Sequence, residues 1–162
     1  MKDEFAFFRE WMDRNPSEWR RRDVDLTMPA DFVGTLGRGP VPIYQRFLDT
    51  FCALDLVSWS ENPKQPLSFT LFAPEEILRA YTDHVIRWNH PEGEWDFDHF
   101  MPFCQHLSSD SYDCFDMRWP VEDDLPVVMF TEAEALPDHD IKVATSFRYW
   151  LEKIVKFGDP LA

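Results

Sequence analysis

Glycine is scarce in this chain, with five in 162 residues, and three of them crowd into Gly34–Gly39 (GTLGRG). That stretch lacks the Lys-Ser/Thr ending that completes a phosphate-cradling loop, so a nucleotide site of that kind is excluded. Cysteine is sparse too. Cys52, Cys104 and Cys114 are odd in number and include no C-x-x-C pair, so neither a disulfide framework nor a zinc-finger spacing is present. Basic residues are outnumbered, 16 against 30 acidic, for a formal net charge of −14. Such a chain repels phosphates, which makes nucleic acid and anionic membranes poor partners. No apolar run approaches the roughly 20 residues that span a bilayer. The opening MKDEFAFFREWMDRN interleaves acids with aromatics, unlike a signal peptide. The expectation is a soluble, cytoplasmic protein with no cofactor and no metal.

Aromatic side chains are abundant by contrast. Hydrophobic residues make up 44% of the chain, with 15 Phe and 7 Trp. This is ample for one core, and residues 1–162 are expected to form one domain. It also leaves rings over for a surface, where aromatics anchor partners. Charge is uneven: residues 1–86 carry a net −4 and residues 87–162 a net −10. An acidic surface speeds encounter with basic proteins, though it also serves plain solubility.

Phe5, Phe8, Trp11 and Met12 recur at helical spacing, and Asn15-Pro16 ends that helix. Arg20-Arg21-Arg22 is expected to pair with Asp23, Asp25 and nearby acids on a solvated face rather than to bind an anion. Residues 34–42 read as a loop. Ile43 to Leu54 carries an apolar stripe at i, i+3, i+4 and reads as a core helix. Trp59 to Pro66 reads as a loop, Leu67 to Phe72 as a strand, and Pro74 as the first turn of a helix. The apolar face of that helix is Ile77, Leu78, Tyr81, Val85 and Trp88. After a turn over His90 to Asp96, Phe97–Leu107 and Tyr112–Met117 read as strands joined by SSDS. Pro102 marks an edge or a bulge. Plain alternation puts Cys104 on one face with Phe100 and Pro102, and Phe103 on the other with His99, Met101 and Gln105. Cys104 and Cys114 are expected to face each other as half-buried thiols. Pro126 to Thr131 is a further strand. A last helix runs from about Val143 to Phe157, with Phe147, Trp150, Leu151 and Ile154 inward and Gly158 and Pro160 stopping it. The order argues an α+β fold: N-terminal helices, a bent and mainly antiparallel sheet with helices packed around it, and a C-terminal helix.

Several segments in register resemble the SUKH superfamily, which groups fungal cell-wall-synthesis regulators with bacterial toxin-immunity proteins. Pro42-Ile43-Tyr44-Gln45-Arg46-Phe47-Leu48 is similar to its proline-led helix. Phe72-Ala73-Pro74-Glu75-Glu76-Ile77 is similar to its strand-to-helix junction. Phe100-Met101-Pro102-Phe103, Ser111 to Asp116 and Pro126 to Phe130 are similar to three of its strands. Ala144 to Leu151 is similar to its closing Ser-Phe-x-x-Trp/Phe-Leu helix. The likeness covers roughly residues 40–157, with residues 1–39 as an N-terminal extension. It departs at Ala53-Leu54-Asp55-Leu56, where the family has a glycine turn, and at Ser108-Ser109-Asp110, where it often has a glycine pair, so the chain resembles a divergent member. The resemblance implies a bent sheet presenting a concave partner-binding face, and no catalytic residues.

The chemistry agrees with that implication. His84, His90, His99, His106 and His139 are scattered without metal-ligand spacing. Asp113 and Asp116 fall on opposite faces of a strand, a poor geometry for a carboxylate pair. Ser108, Ser109 and Ser111 read as turn formers. The acids Glu92, Glu94, Asp96, Asp110, Glu122, Asp123 and Asp124 fall in loops flanking the expected sheet. With Trp95, Tyr112 and Trp119 among them they make a negative rim around aromatic anchors, the pattern of a tight interface; the alternative is a solvated surface with those rings in the core. The leading expectation is an immunity protein that occludes the basic cleft of a cognate toxin. The others are a regulatory scaffold of the same fold and a small hydrolase using Asp116 and a histidine.

Overall fold

The structure, a computed structural model, describes residues 3–58, 67–85, 99–107, 111–120, 122–131 and 141–160. It is an α+β fold built on one seven-stranded antiparallel sheet whose strands lie in chain order, β1 to β7. Helix α1 (Ala6–Arg14) leads into strand β1 (Trp19–Arg21), a short helix α2 (Phe32–Leu36) and helix α3 (Pro42–Phe51). Strands β2 (Leu54–Ser58) and β3 (Leu67–Leu71) follow, then helix α4 (Pro74–Ala80), which runs into a π-helical turn over Tyr81–Val85. Strands β4 (Phe100–His106), β5 (Ser111–Asp116), β6 (Val127–Thr131) and β7 (Ile141–Ala144) complete the sheet before helix α5 (Phe147–Phe157). Among the described residues no helix is long and apolar enough to cross a membrane.

The core is largely aromatic. Tyr44 of α3 is buried and sits among Phe47, Phe103, Phe115 and Phe147, with ring centroids 5.2–6.3 Å apart. Its hydroxyl donates to the carbonyl of Phe72 at 2.7 Å and to that of Phe103 at 3.3 Å, so the one polar atom in the cluster is satisfied. Burial holds this phenol well above the usual tyrosine range. Phe147 and Trp150 cover Phe103 from α5, and Phe8 of α1 packs on Phe47 and Phe51. Helices α3 and α5 therefore cover one face of the central strands, and α1 packs on α3. The other face carries Phe100, Tyr112 and Phe130, with Phe72 against Tyr112.

Several sequence expectations change here. The helix expected to reach Leu54 stops at Phe51, and Leu54 opens β2. Cys52 takes φ 67° and ψ −174°, a conformation that ends a helix and that side chains rarely adopt. The last helix begins at Phe147 instead of Val143 because Val143 and Ala144 belong to an edge strand and Ser146 caps the helix, accepting from the Tyr149 N–H at 3.0 Å. Residues 34–36 extend a short helix rather than a loop. The arginines do not pair with Asp23 and Asp25. Arg20 reaches Asp55 across the β1–β2 pair at 2.6 Å. Arg22 grips Glu76 of α4 with two bonds of 2.7 Å and also donates to the Leu71 carbonyl. Strand pairing places Asp55 beside Arg20, and the packing of α4 brings Glu76 to Arg22. The expected loop over 59–66, the turn over 90–96 and the 108–110 turn lie outside the described residues, as does Trp88.

Pro102 does mark a bulge: the β4–β5 register runs Pro102↔Cys114 and then Cys104↔Asp113, leaving Phe103 as the extra residue. A bulge lets a proline sit inside a sheet, because the ladder is already interrupted there. It also breaks the alternation. Cys104 stands opposite Asp113 and not opposite Cys114, and both thiols are fully buried and free rather than half-buried.

Candidate functional site

The loop between β5 and β6 is fastened at three points. Arg46 of α3 donates two hydrogen bonds to Asp123, at 2.5 and 2.7 Å, and two to Glu4, at 2.7 and 2.9 Å. The Ile43 N–H donates to the Asp123 carbonyl at 3.0 Å. Asp124 receives the N–H groups of Leu125, Phe147 and Arg148 at 2.8, 2.7 and 3.1 Å. The last two are the first donors of α5, which have no partner inside the helix. Asp124 thus acts as a cap supplied from outside the helix, and its charge meets the positive end of the helix dipole. Earlier in the loop, Arg38 donates to the carbonyls of Met117 and Trp119 at 2.9 and 3.1 Å.

This fastening leaves a groove of about 510 Å³ between the loop, β7 and α5. Its walls include Trp119, Leu125, Pro126, Val143 and Tyr149, with Glu122, Asp124 and Lys142 as charged members. Trp119 is 53% exposed and Tyr149 44% exposed, although the backbone of each is hydrogen-bonded. Where the backbone is already held, binding has only side-chain rotamers left to order, and Trp and Tyr have just two χ angles each, which suits anchor residues. Strand β7 ends the sheet, with β6 as its only strand neighbour among the described residues.

The expected interface residues divide accordingly. Trp119 and Glu122 are exposed and line the groove. Asp124 lines it too, but its carboxylate is occupied by helix α5. Asp123 is exposed yet tied into the Arg46 pair. That bond pulls its carboxyl below the usual range, against a smaller opposing effect of burial. Tyr112 is no surface anchor: it is 4% exposed and packs between Phe72 and Phe130. An inward ring on a strand buried on both faces has nowhere else to go. Glu92, Glu94, Trp95, Asp96 and Asp110 lie outside the described residues. Sequence reasoning missed Tyr149 and Val143. The 3.6-residue period places Tyr149 off the inward face of α5, which was a usable signal; Val143 was hidden inside the over-long helix.

A histidine does meet a carboxylate, His106 Nε2 lying 3.0 Å from Asp113 Oδ2, but the two side chains are 5% and 0% exposed. Asp116 binds Arg118 through both oxygens, at 2.9 and 2.8 Å. Burial pushes its carboxyl up as the largest single influence, and the side-chain and backbone bonds from Arg118 together bring it below the usual range. Comparison with protein-family models, curated proteins and solved structures finds no match to this chain.

Proposed function

We propose that this is a non-enzymatic binding protein of the immunity type, which neutralises a cognate toxin domain by seating a surface segment of it in the groove beside α5. The observation that carries the reading is the pair of exposed, backbone-fastened rings, Trp119 and Tyr149, in one groove at the open end of the sheet. The net charge of −14 supports a basic partner, as phosphate-binding toxins are. The resemblance to the SUKH superfamily supports it as well. The left-handed Cys52 stands just before the place where that family has its glycine turn, so the backbone bends there without the glycine. The interface residues of this reading are Trp119, Glu122 and Tyr149, with Asp124 holding the wall.

The test is co-expression with the product of the neighbouring upstream reading frame. A stable complex and survival of cells producing that product are expected, and Trp119→Ala should weaken both. No co-purifying complex and no protection would overturn the proposal. A second reading, a regulatory scaffold that uses the same groove for an endogenous partner, draws on the mostly apolar walls and on Lys142 among them, which do not themselves demand a basic ligand. A complex captured with a chromosomally unlinked partner, without protection, favours it.

A further inference from the structure

The bulge at Phe103 has placed three potential ligands together. Cys104 and His106 are two apart on β4, Asp113 lies opposite Cys104 on β5, and one ligand atom from each falls within 4.8 Å of the others. All three side chains are buried, Asp113 completely. The groups do not satisfy one another. His106 Nε2 approaches Asp113 Oδ2 to 3.0 Å without the alignment of a hydrogen bond, and Asp113 Oδ1 has no hydrogen-bond partner. Unpaired polar atoms at this depth are costly, and native proteins rarely leave two side by side. Trp150 of α5 donates its indole N–H to Asp113 Oδ2 at 2.8 Å, which fixes the carboxylate and leaves Oδ1 available. Among the described residues no lysine or arginine reaches Asp113.

We propose that Cys104, His106 and Asp113 bind a divalent cation of the zinc type. A thiolate, an imidazole and a carboxylate form a donor set that zinc accepts and that calcium and magnesium do not. Ligand atoms around tetrahedral zinc lie roughly 3–4 Å apart, given bonds of about 2.0–2.3 Å, so a small contraction of the cluster suffices. The charges also close. Binding releases the Cys104 thiol proton to solvent, and the thiolate and carboxylate together neutralise the ion. Trp150 then acts as the outer partner that orients the ligating carboxylate, and the ion cross-links β4 to β5 beneath α5. This inference is independent of the binding groove.

The experiment uses the full chain, stripped with a chelator and titrated with Co²⁺ and then Zn²⁺. One equivalent of Co²⁺ should produce thiolate charge-transfer absorption and visible d–d bands. Zn²⁺ should displace it, and the melting temperature should rise, while Mg²⁺ and Ca²⁺ do neither. Cys104→Ala should lose the charge-transfer band and weaken binding by more than the roughly 10–100-fold that loss of an outer hydrogen-bond partner costs. Cys114→Ala should keep both. If Cys104→Ala does not fold by circular dichroism, Cys104→Ser replaces it, since the hydroxyl preserves volume and abolishes the sulfur band. A folded wild type without a stoichiometric cobalt spectrum, or a Cys104 variant binding as the Cys114 variant does, overturns the proposal.

Discussion

Two neighbouring regions, the space under helix α5 and the groove beside it, put the same side-chain types to different uses. Under the helix, Trp150 is fully buried, packs on Phe103 and Phe147, and gives its N–H to Asp113. Beside it, Trp119 and Tyr149 stand open although their backbones are tied. The acids divide in the same way, Asp124 engaged by the helix N-terminus and Glu122 exposed on the groove wall. The difference lies in what each ring or carboxylate has left to satisfy. A side chain whose surface is already buried contributes to stability, and one that is held but uncovered is placed to contribute to association.

The sharpest break in that comparison would come from the core. Phe103→Ala removes a fully buried ring and should destabilise by about 3–5 kcal/mol in denaturant unfolding. An equal loss from Trp119→Ala would erase the distinction between the two regions. Trp119→Ala is instead expected to change stability by no more than about 0.5 kcal/mol, and to cost about 2 kcal/mol, near 30-fold, in affinity for the partner by calorimetry. Asp124→Ala should lie between the two. Leaving the first N–H groups of α5 without their acceptor costs about 1–2 kcal/mol, read as a lowered melting temperature.

Acid offers a gentler probe. The folded carboxyls of Asp123 and Asp116 lie below the usual range because arginine bonds favour their charged forms. Their stabilisation is complete above the unfolded carboxylate value of about 3.9 and is lost as pH falls through the lower folded values. Unfolding free energy should decline over that acid window, and Asp123→Asn should decline less steeply than wild type. Solvent screening keeps this contribution small for so exposed a pair. The smallest effect belongs to Cys52→Gly, which relieves a left-handed backbone and should leave stability unchanged or raise it by up to about 1 kcal/mol in a thermal melt.

Much of the fold was legible. The stripe Ile43, Tyr44, Phe47, Leu48 and Phe51 is buried as its spacing required, and so are Phe147, Trp150, Leu151 and Ile154. Gly158 ends α5 in the left-handed region. Strands β3 to β6 follow from β-rich runs between turn signals. Strands β1, β2 and β7 did not, because three to five residues of mixed polarity carry too little periodicity and become strands only by pairing with a neighbour. The candidate site was legible in part. Trp119 and Glu122, expected from the acidic and aromatic loops, line the groove, while Tyr112 is buried, because an aromatic in an alternating strand reads the same whether one face or both are covered.

By itself, the sequence determined the α+β class, the aromatic core, the stops of α1 and α5 and the acidic character, since each is written in local periodicity, turn chemistry or charge. Only the tertiary structure decided which acids are engaged and which rings stay open. It also decided that Asp113 meets Cys104 and His106, because one extra residue at Phe103 shifts the β4–β5 register and brings Asp113 to the face that those two already share.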